Sequence, residues 1–148
     1  MHSLSFKTRF GWISAFEEKK RIVRIKFGKY KTLSNTKNLK SLKCSINNFL
    51  NKKNNSIKGR FLIKGNKIQK KIWHELTKIK IGKTMSYGKI AKKYKLSPRH
   101  VGRICGQNQF VLVIPCHRVV KSNGTLGGFS GIGGTILKKK LLDFEKSF

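Results

Sequence analysis

Acidic residues are almost missing from this chain. Its 148 residues include 35 Lys and Arg against five Asp and Glu, a formal net charge of +30. A field of that sign attracts polyanions, so nucleic acid is the expected class of partner, even though Lys, Asn and Ile are abundant together throughout and compositional bias supplies part of the excess. Cysteine is scarce as well. Cys44, Cys105 and Cys116 are odd in number and widely spaced, which excludes both a disulfide framework and a Cys-x-x-Cys metal site and leaves reduced thiols as the default. The four histidines, His2, His74, His100 and His117, show no metal-ligand spacing, so neither metal nor cofactor is expected. No stretch approaches the roughly 20 apolar residues that span a bilayer, and the N-terminus lacks the apolar segment of a signal peptide. The expectation is a soluble, cytoplasmic monomer without membrane contact. Hydrophobic content of 38% is low but sufficient for a core, and the length suits one domain or two small ones.

What is present divides by its periodicity. Leu4, Phe6 and Thr8 alternate with polar positions, Gly11 to Phe16 follows, and Ile22 to Phe27 is rich in branched residues, which predicts three strands with Glu17 to Lys20 as a hairpin break. Leu39, Leu42, Ile46, Phe49 and Leu50 share one helical face, with Ser34, Asn35 or Thr36 able to cap the helix and Cys44 off the stripe. Asn51 to Gly59 reads as a linker. These patterns predict a small α/β domain over residues 1–59 and a mainly helical one over 60–148.

In the second part, Ile68, Ile72, Trp73, Leu76 and Ile79 predict a helix from Lys67 to Ile79, and Tyr87 to Tyr94 a shorter one with Ile90 and Ala91 inward. Ser97-Pro98 reads as an N-cap followed by proline at the first helical position. The helix it opens runs to about Gly106, burying Val101, Ile104 and Cys105 and presenting Arg99, His100 and Arg103 outward. Two short helices joined by a tight turn suggest a helix-turn-helix. Phe110 to Ile114 is expected to be strand-like, Lys121 to Gly134 is a glycine-rich loop able to let a planar ligand approach, and Thr135 to Phe144 is a helix with Ile136, Leu137, Leu141 and Leu142 inward.

The chemistry concentrates at Ile114-Pro115-Cys116-His117-Arg118-Val119-Val120, which sets a nucleophile beside a base in an apolar context. A thiol attacks as thiolate, and a neighbouring imidazole is a common means of reaching that state near neutral pH. A lone Cys-His dipeptide is more often structural, so the reading depends on the remaining parts. Glu145, four residues after Leu141, falls near the inward face of the last helix and needs a partner there, for which His117 is the obvious candidate.

This string resembles the active-site segment of the O6-alkylguanine-DNA alkyltransferases. The resemblance is strongest from about Ile68 to Glu145 and includes Ile68 to Trp73, the Gly82-x-x-x-Ser86-Tyr87-Gly88 segment, Pro98-Arg99-His100-Val101-Gly102, and Asn108 eight residues before Cys116. The N-terminal part fits more loosely, through Gly11 to Gly28. The resemblance implies a ribonuclease-H-like N-terminal domain and a helical C-terminal domain with a winged-helix-like helix-turn-helix. Cys116 is then the acceptor of an alkyl group from O6-alkylguanine in double-stranded DNA, and possible activity on O4-alkylthymine comes with the family. His117 removes the thiol proton through a water, Glu145 orients the imidazole, Asn108 ties the recognition helix to the active-site strand, and Tyr87 assists the leaving guanine. Val119, Phe129 and Ser130 line the base pocket, Phe129 standing where the family usually has tyrosine. Lys138 is matched to the family's lysine at the loop-helix junction, Arg99 to its intercalating arginine, and Ser122 and Arg103 to further DNA contacts. The zinc site of some relatives has no counterpart here.

Three other readings compete. A lesion-binding alkyltransferase-like protein resembles this chain but lacks the nucleophilic cysteine. A helix-turn-helix regulator with a structural thiol is a second, and a Cys-His hydrolase, poorly matched to the basic surface, is a third.

Overall fold

A computed structural model describes residues 1–127 and 134–148, which form two compact units. The first comprises residues 1–63 and 109–113, the second 64–108 and 114–148. Among the described residues, no helix is long and apolar enough to cross a membrane.

In the first unit, β1 (His2–Thr8), β2 (Gly11–Glu18) and β3 (Arg21–Phe27) form an antiparallel sheet in the order 1-2-3. The register sets Phe6 opposite Ile13, Ile13 opposite Phe27 and Ala15 opposite Ile25, so the alternating apolar residues fall on one face. β2 runs through Glu18, and the turn shrinks to Lys19 and Lys20, whose φ angles of 48° and 65° are the left-handed pair of a tight hairpin turn. Helix α1 (Lys37–Leu50) buries Leu39, Leu42, Ile46, Phe49 and Leu50, and the Thr36 hydroxyl caps it by accepting from the Leu39 N–H at 3.2 Å. Burying each such side chain contributes about 1.5–3 kcal/mol. Cys44 is exposed.

The 110–114 run is not a strand. Phe110 makes one isolated bridge to Ile25, with its ring edge-on to Phe61 at 5.5 Å, and the chain then turns through Leu112 at φ 70°. The apolar pattern reflects burial of Phe110, Val111, Leu112 and Ile114 rather than extended pairing.

Among the described residues, the second unit holds four α-helices: α2 (Lys67–Thr77), α3 (Tyr87–Tyr94), α4 (Pro98–Gly106) and α5 (Gly134–Lys146). Asn66 and Gln69 form a reciprocal capping box on α2, and the Ser86 and Ser97 hydroxyls cap α3 and α4. Trp73 belongs to the core and donates its indole N–H to the Ile104 carbonyl at 3.0 Å. Short strands β4 (Met85–Ser86) and β5 (Val119–Val120) pair in parallel, which sets the start of α3 beside the segment following Cys116. In α5 the buried set is Leu137, Lys138, Leu141, Leu142, Phe144 and Glu145. Ile136, expected inward, is 71% exposed, because the face containing Leu137, Leu141 and Phe144 turns it to solvent.

Candidate active site

Cys116 opens a single 3-10 turn, Cys116–Arg118, and is only 5% exposed. Asn108, just past the end of α4, uses both hydrogens of its side-chain amide, donating to the Ile114 carbonyl at 2.8 Å and to Cys116 Sγ at 3.3 Å. Burial pushes the Cys116 thiol up from its ordinary range, while the Asn108 amide, the Lys138 ammonium and the backbone N–H groups of Cys116 and His117 oppose the rise. The surroundings thus contain groups that favour the thiolate, inside a pocket that resists charge.

His117 and Arg118 share one carboxylate. His117 Nε2 lies 2.9 Å from Glu145 Oε2, Arg118 Nε donates to Oε1 at 2.8 Å, and Arg118 Nη2 donates to Oε2 at 2.7 Å. Nη1 of the same guanidinium donates to the Ile79 carbonyl at 2.7 Å. Burial raises the Glu145 pKa, but the hydrogen bonds and charges of Arg118 and His117 outweigh it and hold the carboxyl at about 2. Burial lowers the His117 pKa below its ordinary value, Glu145 opposes this, and the charges of Arg118 and Lys138 reinforce it. The imidazole is therefore neutral near pH 7. With Nε2–H directed at Glu145, Nδ1 is the nitrogen that holds the lone pair.

Tyr87, Arg99, Cys105, Cys116, Lys121 and Ser122 are among the residues around one cleft of about 740 Å3. Lys138, expected at the loop-helix junction, is 0% exposed and sends its ammonium inward to donate to the Tyr87 hydroxyl at 3.2 Å. Burial, with the nearby charges of Cys105 and Cys116, raises the Tyr87 pKa to about 12, so its hydroxyl stays protonated at neutral pH. Gly127 closes against the same ring: its φ of 73° is left-handed, and a Cβ there would stand 3.1 Å from Tyr87 Cε2.

Helices α3 and α4 meet through a turn whose Lys95 has φ 57°. Arg99, at the second position of α4, is exposed and lines the cleft, while Arg103, one turn on, is exposed. Ser122 is exposed at the cleft. Val119, in β5, is 0% exposed and pairs with Met85 of β4. Phe129 and Ser130, the other expected walls of the base pocket, lie outside the described residues. Among the described residues, no group of three or more His, Cys, Asp or Glu is placed to hold a metal ion.

Arg118 joins the candidate site without having been expected there. Its signal was available: a guanidinium inside an apolar string requires a carboxylate, and a chain with five acids offers few.

The family model of the 6-O-methylguanine DNA methyltransferase DNA-binding domain matches residues 67–147. A methylated-DNA–protein-cysteine methyltransferase of Candida glabrata is 48% identical over 83 residues, covering 55% of this chain and 39% of that protein, so the match spans well under half of that relative. The protein of the same name from Metallosphaera sedula is 33% identical over 146 residues, 97% of this chain and 92% of that one. Among solved structures, the O6-methylguanine methyltransferase of Mycobacterium tuberculosis superposes with a TM-score of 0.86 at 24% identity, covering 99% of this chain and 93% of that one, a likeness of fold. With a matching family model over more than half its length and a relative aligned nearly end to end, the chain belongs to the O6-methylguanine DNA methyltransferase family.

Proposed function

We propose that this chain repairs DNA by moving the alkyl group of O6-alkylguanine onto its own Cys116, once per molecule. The observation that carries this reading is the placement of Cys116 in the cleft, with Asn108 Nδ2 on its sulfur at 3.3 Å and His117, next to it in the same turn, held by Glu145 of α5. The thiol proton passes through a water to His117 Nδ1, and the neutral imidazole accepts it because the carboxylate on its far side stabilises the resulting cation. The thiolate attacks the alkyl carbon, the C–O6 bond breaks, and its electron pair leaves with guanine. Tyr87 donates a hydrogen bond to the departing base, with Lys138 behind its hydroxyl. The product is a thioether, which no group in the cleft can expel.

The target atom lies inside the duplex, so the nucleotide turns out of the stack into the cleft at a cost of a few kcal/mol. Arg99 fills the space left behind, with α4 as the recognition helix of a helix-turn-helix in a winged-helix-like domain, entered from the minor groove. Arg103, Ser122 and the lysine excess hold phosphates. We read residues 60–148 as the part that binds DNA and transfers the alkyl group, and residues 1–59 as a ribonuclease-H-like support. Lesion binding without transfer is disfavoured by the thiol at position 116.

The test is stoichiometry on the DNA side. Titrating protein against a duplex carrying one O6-methylguanine should restore one guanine per protein molecule and then stop. Continued turnover, or no restoration despite tight binding to the lesion, would overturn the reading.

A further inference from the structure

Two thiols, not one, face the cleft. Cys105 lies in the last turn of α4, is 5% exposed, and lines the same cavity as Cys116. Asn108 links the two: its backbone N–H donates to the Cys105 carbonyl at 3.2 Å and its side-chain amide to Cys116 Sγ at 3.3 Å. Burial pushes both thiols up, Cys105 to about 12, and the buried Lys138 ammonium opposes the rise at each sulfur. One cation between two buried thiols favours at most one thiolate at a time. The transfer chemistry uses Cys116 and leaves Cys105 without a task.

We propose that Cys105 is a resolving thiol that protects Cys116 from peroxide by forming a reversible Cys105–Cys116 disulfide, which closes the site until it is reduced. The inference rests on the reading of Cys116 as the chain's reactive nucleophile. Cys116 thiolate attacks hydrogen peroxide and displaces hydroxide, which leaves a sulfenic acid. The Cys105 sulfur attacks the sulfenic sulfur, its proton leaves with the hydroxyl as water, and the disulfide forms. A dithiol reductant returns both thiols. Both residues sit at the end of a short element, Cys105 just before α4 stops and Cys116 at the first residue of its turn, where local adjustment costs least.

The experiment uses the full chain carrying Cys44→Ser, which removes the exposed thiol that could pair between molecules. Trypsin leaves Cys105 and Cys116 on one peptide, residues 104–118, so the product is read as a mass change on that peptide. After brief hydrogen peroxide at neutral pH, the peptide should lose two hydrogens and take up no iodoacetamide. Dithiothreitol should restore two labelled thiols. Adding Cys105→Ser, or Cys105→Ala if the first folds poorly, should instead send Cys116 to a sulfinic acid that dithiothreitol does not reverse. If the Cys44→Ser chain gives a sulfinic acid at Cys116 while Cys105 still takes its label, or if neither thiol reacts, the proposal fails. The readout needs no DNA. A chain that forms the disulfide but transfers no alkyl group would sink the reading of function and keep the redox site, and the reverse outcome would do the opposite.

Discussion

Arg118 grips both oxygens of Glu145, at 2.8 Å through Nε and 2.7 Å through Nη2, and His117 shares Oε2 at 2.9 Å. The carboxylate is thus neutralised by a permanent cation before the imidazole ever takes a proton. Glu145→Gln would leave a buried guanidinium without its counter-charge, so it should cost about 3–5 kcal/mol of stability, read as a lowered unfolding midpoint in denaturant. A loss below about 1 kcal/mol would mean that the triad is not buried as described.

Arg118→Met tests the electrostatic side of the same relationship. The guanidinium helps to keep His117 neutral, so its removal raises the His117 pKa and moves the acid limb of the transfer rate to higher pH. The base works only when neutral, hence above its folded pKa, and the direction of the shift is fixed. Rate-pH profiles of the two proteins would decide it, and coincident limbs would contradict the assignment.

Stability itself should fall in acid in two stages. The His117 pKa is lower folded than unfolded, so the unfolded chain takes up that proton first and stability begins to drop as pH falls below about 6.5. Glu145 titrates at about 2 in the fold against an ordinary 4.5, so its contribution is complete above 4.5 and is lost as pH falls from there towards 2. That second stage is worth on the order of 3 kcal/mol. Urea unfolding between pH 7 and pH 2 measures both, and Glu145→Gln should flatten the lower stage.

The Tyr87 hydroxyl remains a donor across the neutral range, and Lys138 stands behind it at 3.2 Å. Tyr87→Phe should slow transfer by about 100-fold while leaving affinity for lesion DNA nearly unchanged. An equal loss in both would make the ring, rather than the hydroxyl, the functional part.

Arg99 and Arg103 are both exposed on α4 but should fail differently. If Arg99 fills the space left by the extruded nucleotide, as proposed, Arg99→Ala should slow transfer from a duplex far more than from a single strand, where no base must leave a stack. Arg103→Ala should weaken binding on all DNA alike and reduce the salt slope of log affinity by about one. Identical profiles for the two variants would remove the distinction.

Much of this was legible in the chain before any coordinates. Helix faces such as Leu39–Leu42–Ile46 and caps at Thr36 and Ser97 are local patterns, and local patterns survive folding. The association of Cys116, His117 and Glu145 could be argued from adjacency and from the scarcity of acids. What escaped was set by distant partners. Arg118 finds its carboxylate 27 residues away, Lys138 sends its ammonium to a hydroxyl 51 residues away, and neither pairing leaves a periodic trace. Glu75 on α2 is a similar case: it is buried, with Lys93 at 2.9 Å and the Tyr94 hydroxyl at 2.7 Å. The 110–114 run misled because continuous burial and extended structure share one hydrophobic signature.

The central claim is covalent, so mass answers it most directly. Intact protein, before and after incubation with a duplex carrying one O6-methylguanine, should gain one methylene, located to Cys116, with no gain for Cys116→Ala. An unchanged mass on the native chain, with the lesion bound or the methyl group found elsewhere, would contradict the account.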